Sequence, residues 1–207
     1  MESKTYSNGE KYFGEFKNNL YDGFGKLISQ DNETYIGEFK EGKKNGFGTF
    51  TSKNNLKYVG EFKNDLFHGT GKWNYSNGTE IYFGDFKDGI RNGFGKLMDY
   101  EGGFYDGQFQ DGQIHGYGIF TSEFMKYIGE FSNGSYNGKG TYINEFGETY
   151  VGEFKEGKRH GNGTYTNSDG SKYIGEFYNN LKNGCGVIIS LKGEILNVTF
   201  KDDKLLP

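Results

Sequence analysis

The sequence predicts an all-β fold: an elongated, single-layer, twisted array of antiparallel β-hairpins, with a bend near residues 98–126. Three observations carry this expectation. A Tyr-x-Gly-Glu-Phe segment or close variant begins at Tyr12, Tyr35, Tyr58, Tyr82, Tyr105, Tyr127, Tyr150 and Tyr173, in steps of 22 to 24 residues. Glycine supplies 36 of the 207 residues, against roughly 7% in ordinary proteins. Phe (20) and Tyr (17) supply the large side chains, while proline and cysteine each occur once.

Each repeat reads as two strands. Tyr, Gly and Phe stand at i, i+2 and i+4, as in Tyr35, Gly37 and Phe39. A strand puts alternate residues on one face, so these three share a face. Glycines follow at eleven and thirteen after the Tyr and a large apolar residue at fifteen, as in Gly46, Gly48 and Phe50. The same period places these three together on a second strand. A turn divides the two, with Gly42, Gly89, Gly112, Gly134 or Gly157 at its centre and Asn19, Asp65 or Asn180 in the other copies. These residue types accept left-handed backbone angles. Successive repeats join through further turns, of which Ser76-Asn77-Gly78-Thr79 and Ser168-Asp169-Gly170-Ser171 are the strongest hairpin signals. Rings of one strand are expected to lie over glycines of its neighbour. The other face carries an apolar residue one after the Tyr, an acid three after, and often Lys five after (Lys17, Lys40, Lys63, Lys87, Lys155). The fifth copy departs from this pattern with Asp106, Gln108 and Gln110, hence the bend or bulge expected around it.

Composition excludes several classes. Collagen needs abundant proline, a disulfide scaffold needs paired cysteines, and a helical bundle does not accept this much glycine. A net charge of −4 is not that of a general nucleic-acid binder. The longest apolar run is Val187-Ile188-Ile189, and the first residues hold no apolar signal core, which reads as a soluble intracellular chain.

No catalytic, cofactor or metal site is expected. His68, His115 and His160 all stand ten after a Tyr, where other copies carry Asn or Asp, so they read as turn-tolerant structural residues. Cys185 fills a position held elsewhere by Phe24, Phe47, Thr70 or Tyr117, with no base to activate it. The Gly-x-Gly pairs recur within strands and open no helix, unlike phosphate loops.

Tyr-x-Gly-Glu-Phe-x-x-Gly followed by Gly-x-Gly, as in Tyr35 to Gly42 and then Gly46 and Gly48, resembles the MORN (membrane occupation and recognition nexus) repeat. The resemblance implies one repeat domain over residues 1–207, with partial capping copies at 1–11 and 191–207. It implies a non-enzymatic scaffold or adaptor that binds a helical or extended protein segment, or a second copy of itself, and links cytoskeletal or membrane-associated assemblies. The alternative is a phosphoinositide-binding membrane adaptor, with weak contact to acidic lipid. The chain is then cytoplasmic, with cytoskeletal or membrane association. Aromatic residues are favoured anchors, so partner binding is expected on the aromatic–glycine face at Tyr58, Phe62, Trp73, Tyr82, Phe86, Tyr105, Phe109 and Phe120.

Overall fold

The structure, a computed structural model, describes residues 2–74 and 81–207. It is an open all-β array of antiparallel hairpins, with no helix among the described residues. Contacts divide the chain into two compact units: Met1–Gly102 with Phe109–Gly112, and Gly103–Gln108 with Gln113–Pro207. The first holds β1 (Glu2–Thr5), β2 (Lys11–Lys17), β3 (Leu20–Ile28), β4 (Thr34–Lys40), β5 (Lys43–Thr51), β6 (Lys57–Lys63), β7 (Leu66–Asn74), β8 (Ile81–Lys87) and β9 (Ile90–Met98). The strand β10 (Phe104–Gln110) contributes residues to both units. The second holds β11 (Gln113–Thr121), β12 (Met125–Ser132), β13 (Ser135–Asn144), β14 (Thr149–Lys155), β15 (Lys158–Thr166), β16 (Lys172–Tyr178), β17 (Leu181–Ile189), β18 (Ile195–Lys201) and β19 (Lys204–Leu205). The expected turn at residues 76–79 lies outside the described residues; that at 168–171 is present, with Gly170 at φ 92° and its N–H donating to the Asn167 carbonyl.

The hairpin β4–β5 shows why the sequence folds this way. Tyr35 pairs with Phe50, Gly37 with Gly48, Phe39 with Lys44 and Lys40 with Lys43. The two residues between, Glu41 and Gly42, have φ of 51° and 82°. Two left-handed residues in a two-residue loop match the twist of the flanking strands. The same pair of positive angles recurs at Asn18 and Asn19, Asn64 and Asp65, and Asn179 and Asn180. The turn N–H reaches back one repeat: Gly42 donates to the Tyr21 carbonyl at 2.8 Å and Gly157 to that of Tyr136 at 2.9 Å.

A bulge recurs in the in-repeat hairpins β2–β3, β4–β5, β6–β7, β8–β9, β12–β13, β14–β15 and β16–β17, where the sequence singled out the fifth repeat. Between the Gly37–Gly48 and Phe39–Lys44 pairs, Asn45, Gly46 and Phe47 stand opposite the single residue Glu38. Its carboxylate accepts the Phe47 N–H at 3.0 Å. Gln108 does the same for Tyr117 at 2.8 Å, and Glu176 for Cys185 at 3.1 Å. This bulge corrects two expectations. The glycine at eleven does not share the aromatic face: Gly46 has φ of 80°, and a Cβ there would meet the Glu38 carboxylate at 2.6 Å, on the opposite side. Nor does the residue at ten need an unusual backbone. The positive φ falls on the glycine after it, and in some copies the side chain at ten reaches the next repeat's turn instead. Asp22 accepts the Glu41 N–H at 3.3 Å, and His68 Nδ1 lies 3.6 Å from the Asp88 carboxylate.

The core is the aromatic–glycine face. Every repeat Tyr is essentially buried, and its hydroxyl donates to a carbonyl three residues on, as Tyr35 does to Glu38 at 2.9 Å. The glycines at two and thirteen are where the ring passes: a Cβ on Gly48 would lie 2.5 Å from Tyr35 Cε2. Each Tyr meets a Phe of its own strand and the Phe of the next repeat edge-on. Tyr35 lies 5.0 Å from Phe39 and 4.8 Å from Phe62; Tyr150 lies 5.1 Å from Phe154 and 4.9 Å from Phe177. Such pairs contribute about 0.5–1.5 kcal/mol each beyond their buried area. At the end of the series, Phe200 of β18 covers Tyr173 at 5.4 Å.

Candidate functional site

The eight residues expected to bind a partner fall into two groups. Tyr58, Phe62, Tyr82, Phe86, Tyr105 and Phe109 are buried, none more than 4% exposed, and are engaged in the core. Trp73 and Phe120, both at position fifteen, are half-exposed. The accessible part of the aromatic face is therefore set by two rows. One is position fifteen. The other is position nine, which sequence reasoning passed over.

Position nine lies on this face opposite the buried Phe of the preceding strand, as Lys44 does opposite Phe39 and Arg159 opposite Phe154. It holds Tyr21, Lys44, Phe67, Arg91, Ile114, Tyr136, Arg159 and Lys182, all half-exposed. Each flat or cationic group lies over a repeat Tyr. Tyr21 and Tyr136 stack on Tyr12 and Tyr127 at 3.9 Å, and Phe67 on Tyr58 at 4.0 Å. Lys44 lies 5.6 Å from the Tyr35 ring and 5.0 Å from Phe50, and Lys182 lies 5.2 Å from Tyr173. A cation over a ring face is attracted by the ring quadrupole. Burial pushes the Lys44 ammonium below its ordinary range, against the pull of Asp65 and Glu33. A signal was present in the sequence: no copy puts a small residue here, and both arginines of the chain occupy it.

These two arginines mark two notches between successive repeats. In the first unit, Trp73, Tyr82, Phe86, Ile90 and Arg91 line a notch of about 220 Å³. The Arg91 guanidinium lies 5.5 Å from the Tyr82 ring and 5.7 Å from Phe109. In the second unit, Tyr136, Tyr142, Glu148, Phe154, Arg159 and Tyr165 line one of about 390 Å³. Here Arg159 lies 5.1 Å from the Tyr165 ring and 5.5 Å from Phe177, and donates to the Asn180 carbonyl at 2.8 Å. Glu148 accepts from the Tyr165 hydroxyl at 2.7 Å and from Asn144 Nδ2 at 2.8 Å. The Tyr165 bond holds the Glu148 carboxyl below the usual carboxylate range. Burial first, and then Glu148, push the Tyr165 hydroxyl up to about 12.

The opposite face differs between the units. In the first, Phe24, Phe47, Phe83 and Phe94 are each more than half exposed. In the second, the positions matching Phe24, Phe47 and Phe94 carry Tyr117, Lys139, Asn162 and Cys185. The lysines at five are exposed beside the hairpin turns, with Glu41, Asp88 and Glu156 next to them. Among the described residues no group of three or more His, Cys, Asp or Glu is arranged to hold a metal ion.

A family model described as the MORN repeat matches residues 12–34, 35–57, 58–80, 82–104, 105–123, 127–144, 150–172 and 173–193. No curated protein matches the chain. Among solved structures, the chain is similar to the SAS-4 (dCPAP) TCP domain of Drosophila melanogaster in complex with a proline-rich motif of Ana2 (dSTIL). That match is 9% identical with a TM-score of 0.36, over 96% of this chain and 89% of that one. It is also similar to the TCP10 domain of Danio rerio CPAP, at 9% identity and a TM-score of 0.31, over 100% of this chain and 98% of that one.

Proposed function

The chain belongs to the MORN repeat family, and on that premise we propose that it is a non-enzymatic scaffold holding a protein partner along its aromatic–glycine face. The partner is a helical or extended segment, or a second copy of the chain, in a cytoplasmic assembly tied to cytoskeleton or membrane. One observation supports this face above all. Beyond the buried core, half-exposed aromatic and cationic side chains line notches between repeats at Trp73 with Arg91 and at Tyr142 with Arg159 and Tyr165. Tyr, Trp and Arg in partly desolvated recesses are the groups that dominate protein interfaces.

The test compares capture by the intact chain with capture by two sets of variants. Partners are cross-linked, recovered and identified by mass spectrometry. Trp73→Ala and Tyr165→Ala should each lose the same partner, with circular dichroism showing the β fold kept. Phe47→Ser and Phe94→Ser, on the opposite face, should retain it. Loss with the second set alone would move the interface to the other face. Flotation of the chain with phosphoinositide vesicles, unaffected by Trp73→Ala, would favour a membrane adaptor instead.

A further inference from the structure

We propose that the second unit takes an extended polyproline II segment bearing acidic side chains three residues apart. This rests on the scaffold reading and specifies the chemistry of its partner. The observation is a pair of cations. Arg159 and Lys182 occupy position nine of adjacent repeats. Each lies over aromatic rings: Arg159 over Tyr150 (5.9 Å), Tyr165 and Phe177, and Lys182 over Tyr173 and Phe200 (5.3 Å). Among the described residues no carboxylate lies within 4.0 Å of either charged group. The rings hold the two cations in place without a close ion pair; Glu148, whose carboxylate feels the Arg159 charge, is itself held by Tyr165 and Asn144. The complement is a pair of carboxylates at the same separation.

The repeat step selects the backbone that carries them. Two strands at about 4.8 Å place equivalent residues of adjacent repeats roughly 9.6 Å apart. A polyproline II helix rises about 3.1 Å per residue with three residues per turn. Every third side chain therefore returns to the same face after about 9.3 Å, in step with the repeats. A β-strand returns to one face only every second residue, at about 6.7 or 13.4 Å, and misses both cations together. An α-helix comes nearest with a seven-residue step of about 10.5 Å, and its cylinder, roughly 10–12 Å wide, is too broad for a side-chain-sized notch. The remaining residues of the segment meet Tyr142, Tyr165 and Ile188 at position fifteen. Proline suits these contacts, because its rings stack on aromatic surfaces and its backbone is already extended, so little entropy is lost on binding. Glu148 lines the same notch, fixed by Tyr165 and Asn144.

The experiment uses the full chain and labelled synthetic peptides, read by fluorescence anisotropy. The probes are a Pro-Pro-Glu repeat, a Pro-Glu alternation, a Pro-Pro-Lys repeat, and a helical peptide with Glu seven residues apart. The Pro-Pro-Glu repeat should bind about tenfold or more tightly than the other three, and Arg159→Gln and Lys182→Gln should each weaken it about tenfold. Arg159→Lys, which keeps the charge, should recover part of that loss. Lys155→Gln, at an exposed hairpin end, should leave binding unchanged. Equal binding of the two Glu-containing proline peptides would overturn the proposal, as would equal binding of the helical peptide. So would unchanged binding by a folded Arg159→Gln chain. If no proline peptide binds while the captured partner still depends on Tyr165, this inference falls and the scaffold reading stands.

Discussion

A single methyl group added at Gly48 should destabilise the first unit by about 3 kcal/mol. The backbone there is extended, so no turn conformation is at stake; the effect lies in the space the Tyr35 ring occupies. A Cβ on Gly48 would stand 2.5 Å from Tyr35 Cε2 and its hydroxyl oxygen, and 2.6 Å from Cζ. Comfortable carbon contacts need about 3.5–4.0 Å, so the ring must retreat by roughly 1 Å. It has nowhere to go. Tyr35 is 1% exposed, with the Phe39 and Phe62 centroids at 5.0 and 4.8 Å. Overpacking of this kind costs about 1–3 kcal/mol, and displacing the ring also strains the hydroxyl bond to Glu38, worth about 1 kcal/mol. Urea unfolding followed by circular dichroism gives the measurement. The comparison is Gly147→Ala, where φ is 78° and a Cβ would meet nothing within 4 Å. That change should cost about 1 kcal/mol, from backbone strain alone. If Gly48→Ala shifts the midpoint no more than Gly147→Ala, glycine is not there to seat the ring.

Three further outcomes are expected. Glu38→Ala should cost about 1 kcal/mol by removing the acceptor of the Phe47 N–H, while Glu38→Gln should be nearly neutral, as the natural Gln108 in the fifth repeat suggests; equal urea midpoints for Ala and Gln would refute the bulge clamp. Burial raises Tyr136 and Tyr150 from 10.0 to about 12, so their contribution to stability is complete below pH 10 and lost as pH rises from 10 to 12. Tyrosinate absorbance should therefore grow in this window together with loss of the β signal, and full ionisation near pH 10 with the β signal intact would contradict it. Glu156 has φ of 51°, a conformation Asn adopts more readily, so Glu156→Asn should stabilise the second unit by about 0.5 kcal/mol in the same urea assay; a lowered midpoint would contradict it.

Much of this fold was legible because the repeat reports each position eight times. The spacing of Tyr35, Gly37 and Phe39 gave the buried face, and Gly42 with its counterparts gave the turns. What the spacing hid was the bulge. A period of two, carried across Asn45, Gly46 and Phe47, assigns Gly46 to the wrong face, because three residues here oppose one. Lys44 and Arg159 were hidden for another reason: counting by twos from Gly48 or Gly163 reaches them, but a cation does not read as part of an aromatic face. The site was less legible than the fold for a related reason. Aromatic identity cannot separate Tyr58, which the array itself consumes, from Trp73, which meets solvent. Only the register of neighbouring strands makes that distinction.

The edge-on contact between each Tyr and the Phe of the following repeat gives the series a direction. A repeat carries its own Phe but borrows the second from its successor: Tyr12 from Phe39, Tyr127 from Phe154, Tyr173 from Phe200. Shortening the chain from its two ends is therefore not equivalent. Deleting residues 1–34 removes rings without stripping the second Phe from any Tyr that remains. Deleting residues 195–207 leaves eight intact motifs, yet opens Tyr173 to water on one side. The worn ninth copy, with Leu196 where a Tyr would stand, lends Phe200 to Tyr173 and holds no Tyr of its own that needs a ring in return.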